Sequence, residues 1–174
     1  HQNHGFLLPE YNELGFNYRM TDIQGAVGQA QLEKFPYILE KRRAAAARYD
    51  RLLPERASFL RIPYVPEGYV HTYQSYVTMV DCRALGLSGV EEGNAFRNRL
   101  MAYLEEHGIS TRQGTHAVHT LGHYRDKYGY RPEDLPGAYA CDRLSLALPL
   151  YVELSDDDQD YVIEQIEKGE KAVR

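Results

Sequence analysis

The stretch GFNYRMTDIQGAVGQAQLEKF, residues 15–35, locates the start of the first helix. Thr21 is followed three positions later by Gln24, a capping box in which a hydroxyl and an amide satisfy orphan backbone groups at a helix start. Beyond the cap, Ile23, Ala26, Val27 and Ala30 recur at helical spacing. Residues 1–20 show no such period and read as loop and short extended pieces. Just ahead of the cap stand Asn17 and Arg19, two donors close to a helix N-terminus, where free N–H groups and the helix dipole attract anions. A phosphate is the natural guest of such a loop. An Asn in a turn beside a solvated Arg accounts for the same residues, because Asn-x-Arg alone is common.

Downstream, Pro36 either kinks one long helix or opens a second at its first turn. Ile38, Ala45, Tyr49 and Leu52 share a face, with Lys41, Arg42 and Arg43 at solvent-side positions, and Pro54 ends the run. Residues 21–53 therefore read as one kinked helix or two stacked ones. Strands are expected over 58–62 and 72–80, joined by a turn at 63–69 that carries Pro66 and Gly68. A helix over 90–107 presents Phe96, Leu100 and Leu104 and stops at Gly108. Residues 109–112 read as a third strand, 113–135 as irregular, and 138–144 as a short helix leading into the apolar run Leu146, Ala147 and Leu148. Ser155 caps the last helix, whose first turn carries Asp156, Asp157 and Asp158 and whose buried face is Val162, Ile163 and Ile166. The order of elements predicts an α+β fold, helices packed on a small antiparallel sheet.

At 174 residues the chain can build one ordinary core, and its 43% hydrophobic and 26% charged residues are those of a globular domain. A formal charge of −5, with basic residues scattered among acids, argues against nucleic acid as a partner. No apolar run is long enough to span a bilayer. Two cysteines, Cys82 and Cys141, without a pairing pattern point to a reducing, cytoplasmic compartment.

The densest polar group is His116, His119, His123 and Tyr124, shortly after Arg112. Three imidazoles at short spacing invite a metal, but no acid or cysteine completes the set nearby, and Gly114 and Gly122 disfavour a regular helix, so no metal is expected. Two readings then remain: partly solvated loop histidines, or the lining of a substrate cleft. In the second, imidazoles and phenols bond sugar hydroxyls and Arg112 takes a phosphate or carboxylate. The five lysines, Lys34, Lys41, Lys127, Lys168 and Lys171, all lie outside the apolar segments that would depress an amine for imine chemistry.

With these residues in view, the chain resembles the DegT/DnrJ/StrS family of sugar aminotransferases. GFNYRMTDIQGAVGQAQLEKF and EKRRAAAARYDRLL look like its signature loop and long helix. EEHGISTR and AVHTLGHYRDKYG look like a later strand and the substrate-side loop, and LSLALPLYVELSDDDQDYVIEQI like the closing strand, turn and helix. The resemblance implies the C-terminal portion of an aspartate-aminotransferase-type (fold type I) enzyme that uses pyridoxal 5'-phosphate (PLP). Residues 1–20 would be a remnant of the large-domain edge and interface loop, and 21–174 the small domain with its linking helix. It further implies a homodimer with active sites at the interface, and transfer of an amino group, typically from glutamate, to a nucleotide-linked keto sugar. Asn17 holds the position of the family asparagine that reaches the PLP phosphate of the other subunit, and Arg19 is the next cofactor-binding candidate. His119 matches the family histidine ahead of a tyrosine, here Tyr124; with His116 and Arg112 they form the expected substrate side. The catalytic lysine is expected upstream of His4 and Gly5, so the 174 residues alone are expected to be inactive and not to retain PLP. RQGTHAVH departs from the more usual Arg-Pro-aromatic form of this loop, which leaves the sugar and the ring position open. The alternative is a non-catalytic domain that binds sugar nucleotides or regulates a partner.

Overall fold

A computed structural model describes residues 11–174, so residues 1–10 of the expected N-terminal remnant lie outside the described residues. Helix α1 spans Asp22–Arg56 behind a complete capping box: Gln24 N–H donates to Thr21 Oγ1 at 3.3 Å, and Thr21 N–H donates to Gln24 Oε1 at 2.8 Å. Both prolines lie inside this one helix, so Pro36 opens no second helix and Pro54 does not end it. The missing N–H of Pro36 deprives the carbonyl of Leu32, but that turn is exposed and water can take the bond. Pro54 sits on the exposed side of the last turn, where losing one bond costs little.

Only the second half of α1 joins the core, through Ala45, Ala46, Tyr49 and Leu53, with Ile38 and Leu52 half-buried. Its first half leaves Ile23, Val27, Leu32 and Phe35 exposed. Arg42 and Arg43 are half-buried rather than simply solvated. Arg42 Nε donates to the Tyr73 carbonyl at 2.7 Å and Arg43 Nε to that of His71 at 3.2 Å, clamping the loop in which Tyr73 adopts φ 49°. That clamp is why the strand expected from residue 72 begins only at Tyr76.

Strands β1 (Leu60–Arg61), β2 (Tyr76–Val80) and β3 (Ser145–Leu148) form an antiparallel sheet in the order β1-β2-β3, with Leu60 opposite Val80 and Val77 opposite Ala147. The strand expected over 109–112 reduces to one bridge between Arg112 and Ala147. Ile109 N–H instead closes the preceding helix by donating to Leu104, and Gly114 N–H turns to Ser145 Oγ, so nothing extends the ladder. Helix α2 (Val90–Glu106) ends as expected before Gly108, which has φ 76°.

Residues 113–135 are not irregular throughout. They contain the short helix α3 (Gly122–Tyr128) and two single 3-10 turns, Val118–Thr120 and Pro132–Asp134. Helix α3 lacks an apolar stripe, which hid it from the sequence reading; only Gly122 is buried. Helix α4 (Pro136–Leu144) runs directly into β3, and α5 (Asp156–Val173) starts at Ser155, whose Oγ accepts from Asp158 N at 3.0 Å.

Helix α2 packs against α4 and α5, and α1 against α5. Phe96, Leu100, Met101 and Leu104 of α2 meet Val162, Ile163 and Ile166 of α5 and Phe59, Leu60, Tyr76 and Leu146 of the sheet layer in one core. The α2–α5 approach depends on Gly169, where a Cβ would fall 2.7 Å from Leu100 Cδ1. Among the described residues, no helix is long and apolar enough to cross a membrane.

Two buried tyrosines set an alkaline limit on this fold. Burial pushes the phenol of Tyr49 well above its ordinary value, and burial together with the Asp50 carboxylate that accepts its hydrogen bond does the same to Tyr76. Because the folded values are raised, the neutral forms favour the fold below the unfolded phenol value of about 10, and that advantage is lost as pH climbs past it. The urea midpoint should hold through neutral pH and fall from about pH 10 upward. The double variant Tyr49→Phe, Tyr76→Phe should flatten that fall. An equally steep loss in the double variant would assign it to other groups.

Candidate functional site

Two groups of candidate residues emerge, on separate segments. The first is the loop before α1. Asn17 Oδ1 accepts from Arg19 N–H at 3.1 Å, which closes a tight side-chain turn and leaves the amide Nδ2 of Asn17 as a donor. Arg19 adopts φ 60°, a left-handed conformation uncommon for a residue with a side chain. Both residues are exposed, directly ahead of Thr21 and the first turn of α1. An amide donor, a guanidinium and a helix N-terminus together form a donor set suited to a phosphate. The residues present thus fit the phosphate end of PLP.

The second group lies along residues 112–124. Arg112 is exposed and turned back on its own neighbours, with Nη1 donating to Thr111 O at 2.8 Å and Ser110 Oγ at 3.1 Å. Its backbone is fixed to β3 through both hydrogen bonds with Ala147. Gly114 is required just past the bridge between Arg112 and Ala147: a Cβ there would fall 2.4 Å from Val77 Cγ1. His116 is half-buried, with Nδ1 3.9 Å from Asp142 Oδ2 and its ring edge-on to Tyr11 at 5.4 Å. His119 is 5% exposed, the deepest of the candidates, and among the described residues neither of its ring nitrogens has a hydrogen-bond partner. It meets Tyr130 edge to face at 6.4 Å. Tyr124 sits in α3, partly exposed, stacked on Tyr128 at 6.1 Å and touching His123. His119 and Tyr124 thus belong to one ring chain through Tyr130 and Tyr128, whose rings lie 6.0 Å apart.

Sequence reasoning missed what holds this loop in place. Ala117 N–H donates to Asp142 Oδ2 at 2.8 Å and Gly114 N–H to Ser145 Oγ at 3.1 Å, so the loop is stitched to the junction of α4 and β3. Beneath that junction lies Arg97, 2% exposed, whose Nη1 donates to the carbonyls of Asp142 at 2.7 Å and Ser145 at 3.2 Å. Burial pushes this guanidinium down to about 10, so it remains charged at neutral pH. Arg97 sits beside Phe96 in the apolar stripe of α2, and no motif marks it. The five lysines are all exposed. Among the described residues, no three histidine, cysteine, aspartate or glutamate side chains converge as a metal set.

The profile of the DegT/DnrJ/EryC1/StrS aminotransferase family matches residues 2–167. The chain belongs to that family. The spore coat polysaccharide biosynthesis protein SpsC of Bacillus subtilis is 29% identical over 166 residues, covering 95% of this chain and 41% of that protein. A pleiotropic regulatory protein of Geobacillus stearothermophilus is 30% identical over 164 residues, covering 91% of this chain and 40% of that protein. Among solved structures, the PLP form of the putative sugar aminotransferase Spr1654 of Streptococcus pneumoniae superposes with a TM-score of 0.75 at 27% identity, covering 89% of this chain and 37% of that one. Helicobacter pylori PseC, at 19% identity, shares the fold with a TM-score of 0.73 over 98% of this chain and 44% of its own. The chain therefore spans less than half the length of each of these proteins, and its α+β architecture is that of part of a fold type I PLP enzyme.

Proposed function

We propose that these residues form the small domain and cofactor-phosphate loop of a PLP-dependent aminotransferase that moves an amino group, from an amino acid such as glutamate, to a nucleotide-linked keto sugar. The observation that carries the proposal is the loop at Asn17 and Arg19, a donor set fit for phosphate in a chain of this family. When bound, PLP supplies an electron sink for the transferred amino group. Asn17 and Arg19 hold its phosphate, in the active site of the other subunit of a homodimer. His116, His119, Arg112 and Tyr124 hold the sugar side of the substrate, in a cytoplasmic enzyme. Residues 1–20 belong to the large-domain edge and residues 21–174 to the small domain.

The exposed lysines define what the isolated chain can do. None of the five is desolvated, so none is prepared to carry the cofactor. The 174 residues alone should give no transamination with PLP, glutamate and nucleotide-linked keto sugars, and should not retain PLP. Turnover above a boiled control would overturn the assignment.

A second reading, a regulatory domain, draws support from the Geobacillus relative, whose name is that of a regulator. The whole protein separates the two: turnover of a nucleotide-linked keto sugar favours the enzyme, and PLP-free binding of a sugar nucleotide without turnover favours the regulator.

A further inference from the structure

Helix α3 starts without a cap of its own. Its N-cap residue is Leu121, which offers no side-chain acceptor, so the N–H groups of the first turn need acceptors from elsewhere. One comes from far upstream: His123 N–H donates to the carbonyl of Tyr11 at 3.1 Å. The contact is more than a single bond. The Tyr11 ring stands edge-on to His116 at 5.4 Å. Asn12 lies so close over the buried Gly122 that a Cβ there would fall 2.8 Å from Asn12 Cγ and collide with its Oδ1.

Tyr11 and Asn12 thus clasp the loop that carries the sugar-side candidates, just ahead of the loop that carries the cofactor-side ones. Five steps of chain separate Asn12 from Asn17, a span of at most about 18 Å. Little else holds that span. Among the described residues, the only hydrogen bond made between the clasp and the Thr21 cap is internal to the loop, from Arg19 N–H to Asn17 Oδ1. Residues 13–20 are all exposed, and the half of α1 that follows them contributes nothing to the core. The phosphate loop therefore hangs between a protruding helix end and α3, and the clasp is its attachment to the body of the domain.

We infer that the clasp of Tyr11 and Asn12 on α3 positions the Asn17 loop and couples it to the sugar-side loop, so that binding of the cofactor phosphate and docking on α3 strengthen each other. The inference rests on the aminotransferase reading and adds two positioning residues to it; Tyr11 and Asn12 act through the loops they join and touch neither cofactor nor substrate. Such a coupling is reciprocal: a docked loop that favours PLP is itself favoured by bound PLP.

Variants at His123 test it in the whole enzyme. His123→Pro removes the N–H that Tyr11 accepts, in the first turn of α3, where proline fits a helix and Gly122 before it has no Cβ to clash with the ring. It should raise the Kd for PLP about fivefold, the effect of one lost hydrogen bond of about 1 kcal/mol. His123→Ala, which keeps the amide, should stay near wild type. In an Asn17→Ala background His123→Pro should have no further effect, since the clasp acts through that loop. An unchanged Kd in His123→Pro, or the same fivefold loss in both backgrounds, overturns the coupling. Hydrogen exchange supplies a second reading. Backbone amides of residues 122–125 should exchange more slowly in the PLP-loaded wild-type enzyme than in its PLP-free form, and His123→Pro should abolish the difference. Equal wild-type rates with and without PLP overturn the coupling as well. Whole protein that binds no PLP defeats the aminotransferase reading and the coupling together, whereas an enzyme that binds PLP and fails either measurement defeats the coupling alone.

Discussion

In the proposed homodimeric enzyme, replacing Asn17 with alanine should weaken PLP binding by roughly ten- to a hundredfold, the effect of losing one hydrogen bond to a charged acceptor, about 1.5–3 kcal/mol. The expectation follows from the geometry of the loop. The side-chain oxygen of Asn17 is already committed to Arg19 N–H, so the amide nitrogen is the group left to donate, and alanine removes it together with the turn. Arg19 would then lose the bond that accompanies its left-handed backbone, so part of the effect should come through the neighbouring guanidinium. The dimer should survive, since the exposed Asn17 contributes little apolar contact. Mixed dimers locate the contact. When Asn17→Ala subunits are paired with subunits lacking the catalytic lysine, the lysine-bearing site receives its asparagine from the partner, and PLP affinity there should stay near wild type. An affinity as poor as in the Asn17→Ala homodimer would place the contact within one chain.

Arg97→Ala should be the most damaging single change to the fold around the second group of residues, costing about 2–4 kcal/mol of unfolding free energy. It leaves the buried carbonyls of Asp142 and Ser145 without their donor and opens a void in the α2 face. Relief of the burial of a guanidinium offsets part of this, as its lowered value shows. Arg97→Lys should rescue little, because an ammonium lacks the planar fork that also reaches Asn98 Oδ1. Chemical denaturation of the purified chain reads the difference. A loss under about 0.5 kcal/mol, the range of ordinary surface substitutions, would mean that the junction of α4 and β3 stands without its arginine.

The parts of this fold that were legible in the sequence are those governed by local chemistry. Thr21 with Gln24, Ser155 with the acids after it, and Gly108 at φ 76° each announce a helix end through a single turn of backbone. What stayed hidden depends on partners distant in the chain. Nothing near Arg42 says that it clamps the Tyr73 carbonyl and shortens β2, and nothing near Asp142 says that it anchors Ala117. Helix α3 carries one usable signal, Gly129 in the left-handed region at φ 71°, but its exposed sequence lacks the period that would have completed it. The candidate site divides the same way. Asn17 and Arg19 stand beside a legible cap, whereas the burial of His119, whose ring nitrogens find no partner among the described residues, emerges only once Tyr130 packs edge-on against its ring.

The first half of α1 stands apart from the core. Ile23, Val27, Leu32 and Phe35 are exposed apolar side chains spread around this half of the helix, and the proposed large domain and second subunit would cover them. The isolated chain should therefore self-associate in sedimentation runs as its concentration rises, and a clean monomer at high concentration would count against that placement.

On the function proposed above, these residues serve a PLP enzyme whose reactive lysine lies elsewhere. The most direct test is to reduce the PLP-loaded whole enzyme with borohydride and locate the trapped pyridoxyl group by peptide mass spectrometry. The pyridoxyl group should sit on a lysine outside residues 1–174. A pyridoxyl group on Lys34, Lys41, Lys127, Lys168 or Lys171 would contradict it.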